Sequence, residues 1–561
     1  MEQLARQHSQ LEHQCKKTNF STMERASATN HRRTNSNVSH ASTVPDSNSV
    51  INNAVKDDPK SSDSISNSED EDDFHDAVAD PEYTDFTVSC APSHRRTASN
   101  VSGASTKSEG ATSHREEETD YSSDQEDAHT LTIVKKREKK QEDLPDGESS
   151  TKVSTPIKRA PGRTRRSRIP DKPDISFSLW SIMKNCIGKD LSKIPVPVNF
   201  SEPISFLQRL CEDFEYSEIL DRAATCTDDY EQMALVAAFT VSSYSSTAIR
   251  AGKPFNPLLG ETFEFDRRED LGWRCIAEQV LHHPPMVAQY CESEGWSCWQ
   301  EFTMRSKFKG KYLEVEPLGI THLEFKNSGN HYTWRKVKTV VHNIVIGKLW
   351  IDQHGEMEVV NHTKGDKCYM KFEPYSYFGG TPKKVTGTVT NIDGKVEWVL
   401  NGTWDSKMEG SKVIGEAMVK GKSSLEIGDS KVLWKKNPID PEADKYYFFS
   451  KFTCELNEPE EFVAPTDSRL RPDQRMMEEG RWDEANTEKV RLEEKQRAVR
   501  RQREVEAELA QQEGREYEGP KPTWYRAVPD QYNGGKLIHE YLGGYWEAKE
   551  QQDWSKCADI F

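Results

Sequence analysis

The sequence predicts a mainly β fold with helices, an antiparallel sandwich or barrel that follows a long N-terminal tail. Three observations carry this. From Glu301 to about Leu433, apolar and polar residues alternate in short runs broken by Gly or Asn-Gly-like turns, as at 311–315, 339–346, 385–389 and 396–400. Alternation of period two puts one face of each run in a core, and frequent turns make hairpins. All thirteen tryptophans lie at or after Trp180. Two stretches ahead of the alternating region, from Ile204 to about Ala224 and from Tyr230 to about Ile249, have helical spacing. The second is so rich in Ala, Val and Ser that it must be buried.

Residues 1–173 read as a disordered tail and 174–561 as the folded region. Before residue 170 the aromatics are Phe20, Phe74, Tyr83, Phe86 and Tyr121, among Ser, Thr, Asn, Asp and Glu. Such a composition buries too little apolar surface to offset chain entropy. The tail repeats itself: 31–43 begins His31-Arg32-Arg33-Thr34, and 94–106 begins His94-Arg95-Arg96-Thr97. Arginines ahead of Thr34, Ser36, Thr97 and Ser99 make these residues candidates for basophilic phosphorylation, which adds close to two negative charges each.

Between the copies, about 68–80, an acidic run leads into Asp73-Phe74-His75-Asp76-Ala77. Acid residues steer towards a basic groove and the aromatic anchors in it. The segment resembles the FFAT motif, which implies binding to a VAP-type protein of the endoplasmic reticulum. Two basic clusters follow, Lys135 to Lys140 and Lys158 to Arg168. They suit a solvated linker, adhesion to anionic lipid or a nuclear-localisation patch.

Composition narrows the function classes. No run of about 18 apolar residues spans a membrane, and no secretory signal opens the chain. Eleven scattered cysteines without a CxxC pair suit reduced thiols in cytosol. A net charge of -17 argues against nucleic acid as the main partner.

The folded region opens with Phe177, Trp180, Met183 and Ile187 at helical spacing, with Gly188 as the stop. Next, 252–263 sets Lys253 and Asn256 on a loop stiffened by two prolines and two glycines, a ready anion site. The run 273–281 reads as a strand that the string Glu278-Gln279-Val280-Leu281-His282-His283-Pro284-Pro285 brings to a stop, because proline cannot extend a ladder. Imidazole titrates near neutrality and donates two hydrogen bonds when protonated, which suits a phosphorylated group. As a bare pair the histidines are open to no role, to metal binding, or to catalysis, with Glu261 or Glu278 orienting a general base. Beyond Pro472 a charged helix carries Lys489, Glu493 and Arg497 on one face.

Together the strings at 252–263 and 278–285, with Pro197-Val198-Asn199-Phe200 and 202–209, resemble the oxysterol-binding-protein family of lipid-transfer proteins, closest to its sterol-handling branch and without a pleckstrin-homology-like domain. Leu281 stands where the family usually has serine. The resemblance implies an incomplete antiparallel barrel around an apolar lipid tunnel. It implies a lid bearing Phe177, Trp180, Met183 and Ile187. It implies that Lys253, Asn256, His282, His283, Lys489, Glu493 and Arg497 hold a phosphoinositide head group. The expected activity is non-enzymatic exchange of sterol and phosphatidylinositol 4-phosphate, or another phosphoinositide, held in turn in one tunnel, between the endoplasmic reticulum and other membranes. The expected location is cytosol, peripherally on that membrane and its contact sites, with no metal or cofactor. A lipid sensor or scaffold without net transport is the alternative.

Overall fold

The computed structural model describes residues 83–89, 130–136, 163–174, 198–250, 252–344, 349–375, 381–419 and 422–561. The lid residues Phe177, Trp180, Met183 and Ile187 lie outside them. So do Asp73, Phe74, Asp76 and Ala77, and the phosphorylation candidates Thr34, Ser36, Thr97 and Ser99.

Seventeen described strands join one sheet. Thr262–Arg267, Trp273–His282, Pro285–Ser293 and Trp296–Phe308 form an antiparallel meander. The last of these is long enough to split the sheet. Its first half pairs with Ile320–Phe325 and its second with Leu313–Pro317. Both branches rejoin on Trp350–Asn361, through His331–Trp334 and Lys338–His342. The meander then runs on through Lys367–Phe372, Lys384–Thr390, Val396–Thr403 and Lys407–Val419. Among the described residues Thr262–Arg267 pairs with no strand of the far edge, so the barrel is incomplete, as expected.

Twelve of the seventeen strands send residues into a single core that also holds the helices Glu218–Ala224 and Asp229–Ser242. The sheet is therefore wrapped round them. In Asp229–Ser242 every residue from Gln232 onward is buried. Its hydroxyls tolerate this by bonding back along the helix, Thr240 to the Ala237 carbonyl at 2.7 Å and Ser242 to that of Phe239 at 2.8 Å.

The helix expected from Ile204 to Ala224 is broken. Ser201–Ser205 is a strand, because it pairs in parallel with Lys253–Phe255. Ser205 then caps Phe206–Cys211 in a reciprocal capping box with Gln208, and a 3-10 turn separates this helix from the next.

The described fold also reaches back beyond Asp174, which corrects the reading of 1–173 as wholly disordered. Tyr83–Ser89 and Thr130–Lys136 pair antiparallel over seven residues, and the second adds in parallel to Lys422–Ile427. Val88 and Ile133 pack with Val399 and Ile427 in a small core of their own. Composition averaged over 170 residues hides two seven-residue strands that borrow an existing apolar face. Arg166 chelates Glu478 at 2.7 and 2.9 Å, Arg165 lies 5.2 Å over the Phe265 ring, and Arg168 reaches Glu442 at 2.7 Å. These arginines of the second basic cluster are thus spent on the domain itself. Ile133→Asp should release the hairpin at a local cost of about 2–5 kcal/mol. Hydrogen exchange of 83–89 and 130–136 should accelerate while the main unfolding midpoint stays put; unchanged protection there would refute this.

Candidate functional site

The two signature strings of the sequence are hydrogen-bonded to each other. Gly260 N–H donates to the Gln279 carbonyl at 3.0 Å, and Gln279 N–H donates to that of Glu261 at 2.9 Å. Gly260 adopts φ 81°, a conformation that favours glycine, so the loop can turn there. The fingerprint strand Trp273–His282 pairs with Pro285–Ser293 down to His282 opposite Pro285. His283 and Pro284, joined by a cis peptide, make the hairpin tip. The strand runs one residue further than expected, into the first histidine. A register shift between Gln279 and Leu281 leaves Leu281 37% exposed, opposite Met286.

The strand's two faces do different work. Trp273, Cys275 and Ala277 enter the main core, while Ile276 and Val280 pack outward against Trp524, Tyr525, Tyr545 and Trp546. Glu278, on the outer face, accepts the Thr523 and Trp524 N–H groups at 2.7 and 2.9 Å. Burial raises its carboxyl to about 7 against the pull of those two amides. Glu261 accepts from Leu258 N–H at 2.9 Å, Ser468 Oγ at 2.6 Å and Arg471 at 2.9 Å. Both carboxylates are thus committed to partners other than the histidines, so the general-base arrangement lacks its orienting group.

Lys253 lies half-buried on its short strand and Asn256 is exposed at the start of the loop. The loop is pinned from behind by Arg471, a buried guanidinium. It donates to the Asn256 carbonyl at 2.8 Å, pairs with Glu261, chelates Asp473 at 2.7 and 2.9 Å, and lies 5.3 Å over Phe255.

From the other side comes the long helix Trp482–Gln512. Trp482 and Ala485 seat it against Val198 and Phe255. Glu493 bonds both neighbours of its face, Lys489 and, at 3.1 Å, Arg497. The expected row therefore exists, with the carboxylate holding two cations. The helix reaches the hairpin tip through a residue the sequence did not single out. Gln496 accepts from Leu259 N–H at 2.8 Å and meets His282 Nε2 at 2.6 Å through its own Nε2. A seven-residue step from Lys489 returns to the same face, which is the signal that could have found it.

His282 departs from the sequence expectation of a group titrating near neutrality. Burial first, then the neighbouring His283, Arg471 and Arg500, push it down to about 4, and the Pro257 carbonyl offsets this only weakly. Arg471 and Arg500 were also missed, since neither burial nor distance between distant segments is visible in spacing. Among the described residues no group of three or more His, Cys, Asp or Glu is placed to hold a metal ion, and no helix is long and apolar enough to cross a membrane.

A family model described as Oxysterol-binding protein matches residues 178–550. Oxysterol-binding protein 2 of Mus musculus is 51% identical over 478 residues, covering 82% of this chain and 52% of the relative. Oxysterol-binding protein homolog 2 of Saccharomyces cerevisiae is 40% identical over 412 residues, covering 70% of this chain and 31% of the relative. The chain thus spans about half, or less, of the length of these curated relatives. Among solved structures, the Osh1 ORD domain in complex with cholesterol aligns with TM-score 0.62 at 35% identity, covering 71% of this chain and 95% of that one. The Osh3 ORD in complex with PI(4)P from Saccharomyces cerevisiae aligns with TM-score 0.58 at 32% identity, covering 71% and 99%.

Proposed function

The chain belongs to the oxysterol-binding protein family, and from that premise we propose that it is a non-enzymatic lipid-transfer protein. It holds a sterol or a phosphatidylinositol 4-phosphate, one at a time, in the space enclosed by the sheet. It exchanges them between the endoplasmic reticulum and a second membrane. The observation that carries the reading is the convergence of three distant segments on His282: the loop after Lys253, the hairpin tip and the long helix. Lys253, Asn256, His282, His283, Lys489 and Arg497 offer the phosphorylated ring cations and hydrogen-bond donors, and Glu493 orients the two helix cations. The solved relatives, one with cholesterol and one with PI(4)P, support the pair of ligands. The sequence at 68–80 supports a VAP-type partner, and so a cytosolic protein peripheral to the endoplasmic reticulum.

Purified protein should extract both lipids from liposomes, each in competition with the other. It should also move them in opposite directions between two liposome populations. Extraction of neither lipid sinks the proposal, and extraction without transfer makes the protein a sensor.

A further inference from the structure

Gln496 fixes more than a contact. The Leu259 amide is a pure donor, so the Gln496 oxygen must be the atom that faces it at 2.8 Å. The Gln496 nitrogen, also a pure donor, is then the atom 2.6 Å from His282 Nε2. Two donors cannot share that contact, so His282 Nε2 carries a lone pair and its proton sits on Nδ1. That Nδ1 is buried without a well-formed hydrogen bond. In this state the imidazole is neutral and offers no N–H through Nε2. A phosphate oxygen, a pure acceptor, needs an N–H at the same position.

We propose that Gln496 is a positioning residue that keeps His282 neutral while the site is empty, so that entry of a phosphomonoester breaks the Gln496–His282 bond and brings a proton onto His282. This rests on the function proposed above and adds a proton to it. The titratable and charged groups facing His282 all favour the neutral form: His283 from its own hairpin, Arg471 from behind the loop and Arg500 from the long helix. Arg471 is balanced by Glu261 and Asp473, and Arg500 by Glu504 at 2.8 Å. The dianion of the ligand adds the negative charge that favours imidazolium. Uptake of one proton makes affinity fall by up to about tenfold for each pH unit above about 6, where the phosphomonoester is already a dianion and brings no proton of its own. Sterol, which carries no phosphate, escapes this dependence.

The test uses the full chain and a short-chain soluble phosphatidylinositol 4-phosphate. Calorimetry at pH 7.5, where the phosphomonoester is already a dianion, in buffers of different ionisation enthalpy counts protons taken up on binding. Inorganic phosphate in a parallel arm separates a lipid head group from a free anion; equal binding of both makes the site a general phosphate site and overturns its assignment to the lipid. Nitrogen-15 spectra of His282 in the empty protein read the tautomer directly. Wild type should carry its proton on Nδ1 and take up close to one proton. Gln496→Ala should raise the His282 titration midpoint by about one unit or more towards its ordinary value near 6.5. Gln496→Glu, which accepts where the amide donates, should move the proton to Nε2; it serves as the second variant if the alanine chain folds poorly. An Nε2–H tautomer in wild type overturns the inference, and so does binding of the lipid without proton uptake or a His282 midpoint that Gln496→Ala leaves unchanged. Failure of wild type to bind the lipid at all, with the Nδ1–H tautomer intact, instead overturns the lipid-exchange reading.

Discussion

Replacing both His282 and His283 by alanine is expected to lower phosphatidylinositol 4-phosphate extraction at least about 100-fold and to leave sterol extraction within about threefold. Hydrogen bonds to charged groups are worth about 1.5–3 kcal/mol each, and two of them amount to at least two decades of affinity. The fold should survive, because the strand's packing lies elsewhere. Trp273, Cys275 and Ala277 hold it to the core, and Ile276 and Val280 hold it to the C-terminal segment. The histidines sit past the last of these, at the hairpin end. Parallel extraction from liposomes carrying one lipid or the other decides it. An equal loss of both lipids would mean that the tip holds up the fold rather than the phosphate.

The second large effect is expected at Arg471. Its guanidinium is 2% exposed and is the shared partner of Glu261, Asp473 and the Asn256 carbonyl. Arg471→Ala leaves two buried carboxylates without their counter-charge, at a cost of about 3–5 kcal/mol. Lysine should not rescue it, since a single ammonium cannot chelate Asp473 and reach Glu261 and Asn256 at once. Urea unfolding measures the loss, and a change below about 1 kcal/mol would refute the role. Phosphoinositide extraction should fall further than stability alone explains, because the loop bearing Lys253 and Asn256 loses its rear support.

The parts of this fold that follow local rules were legible from residue order. The alternation from Glu301 onward became strands, the buried Ala- and Val-rich helix became Asp229–Ser242, and the Lys489, Glu493 and Arg497 row lies on one helix. What could not be read depends on partners distant in the chain. Ile204 looks helical until Lys253–Phe255 offers it a ladder. Residues 83–89 and 130–136 look like tail until an apolar face at Val399 and Ile427 is there to receive them. The candidate site divides the same way. Its histidines, lysines and arginine row are recognisable by type and spacing. The depressed basicity of His282 arises first from burial and in part from Arg471 and Arg500, distant in the chain, so beyond the adjacent His283 no window of sequence contains it.

Glu278 has a practical bearing on where the chain can be shortened. It belongs to the string that marks the ligand site, yet it faces away from that site and grips Thr523 and Trp524, while Tyr525 bonds the neighbouring Ile276 carbonyl at 2.7 Å. A fragment ending after the long helix would keep every candidate ligand contact and still strip the fingerprint strand of its outer cover. The last forty residues therefore act as a splint on the back of the binding strand, and an expression fragment that omits them removes support from the very residues it was cut to preserve.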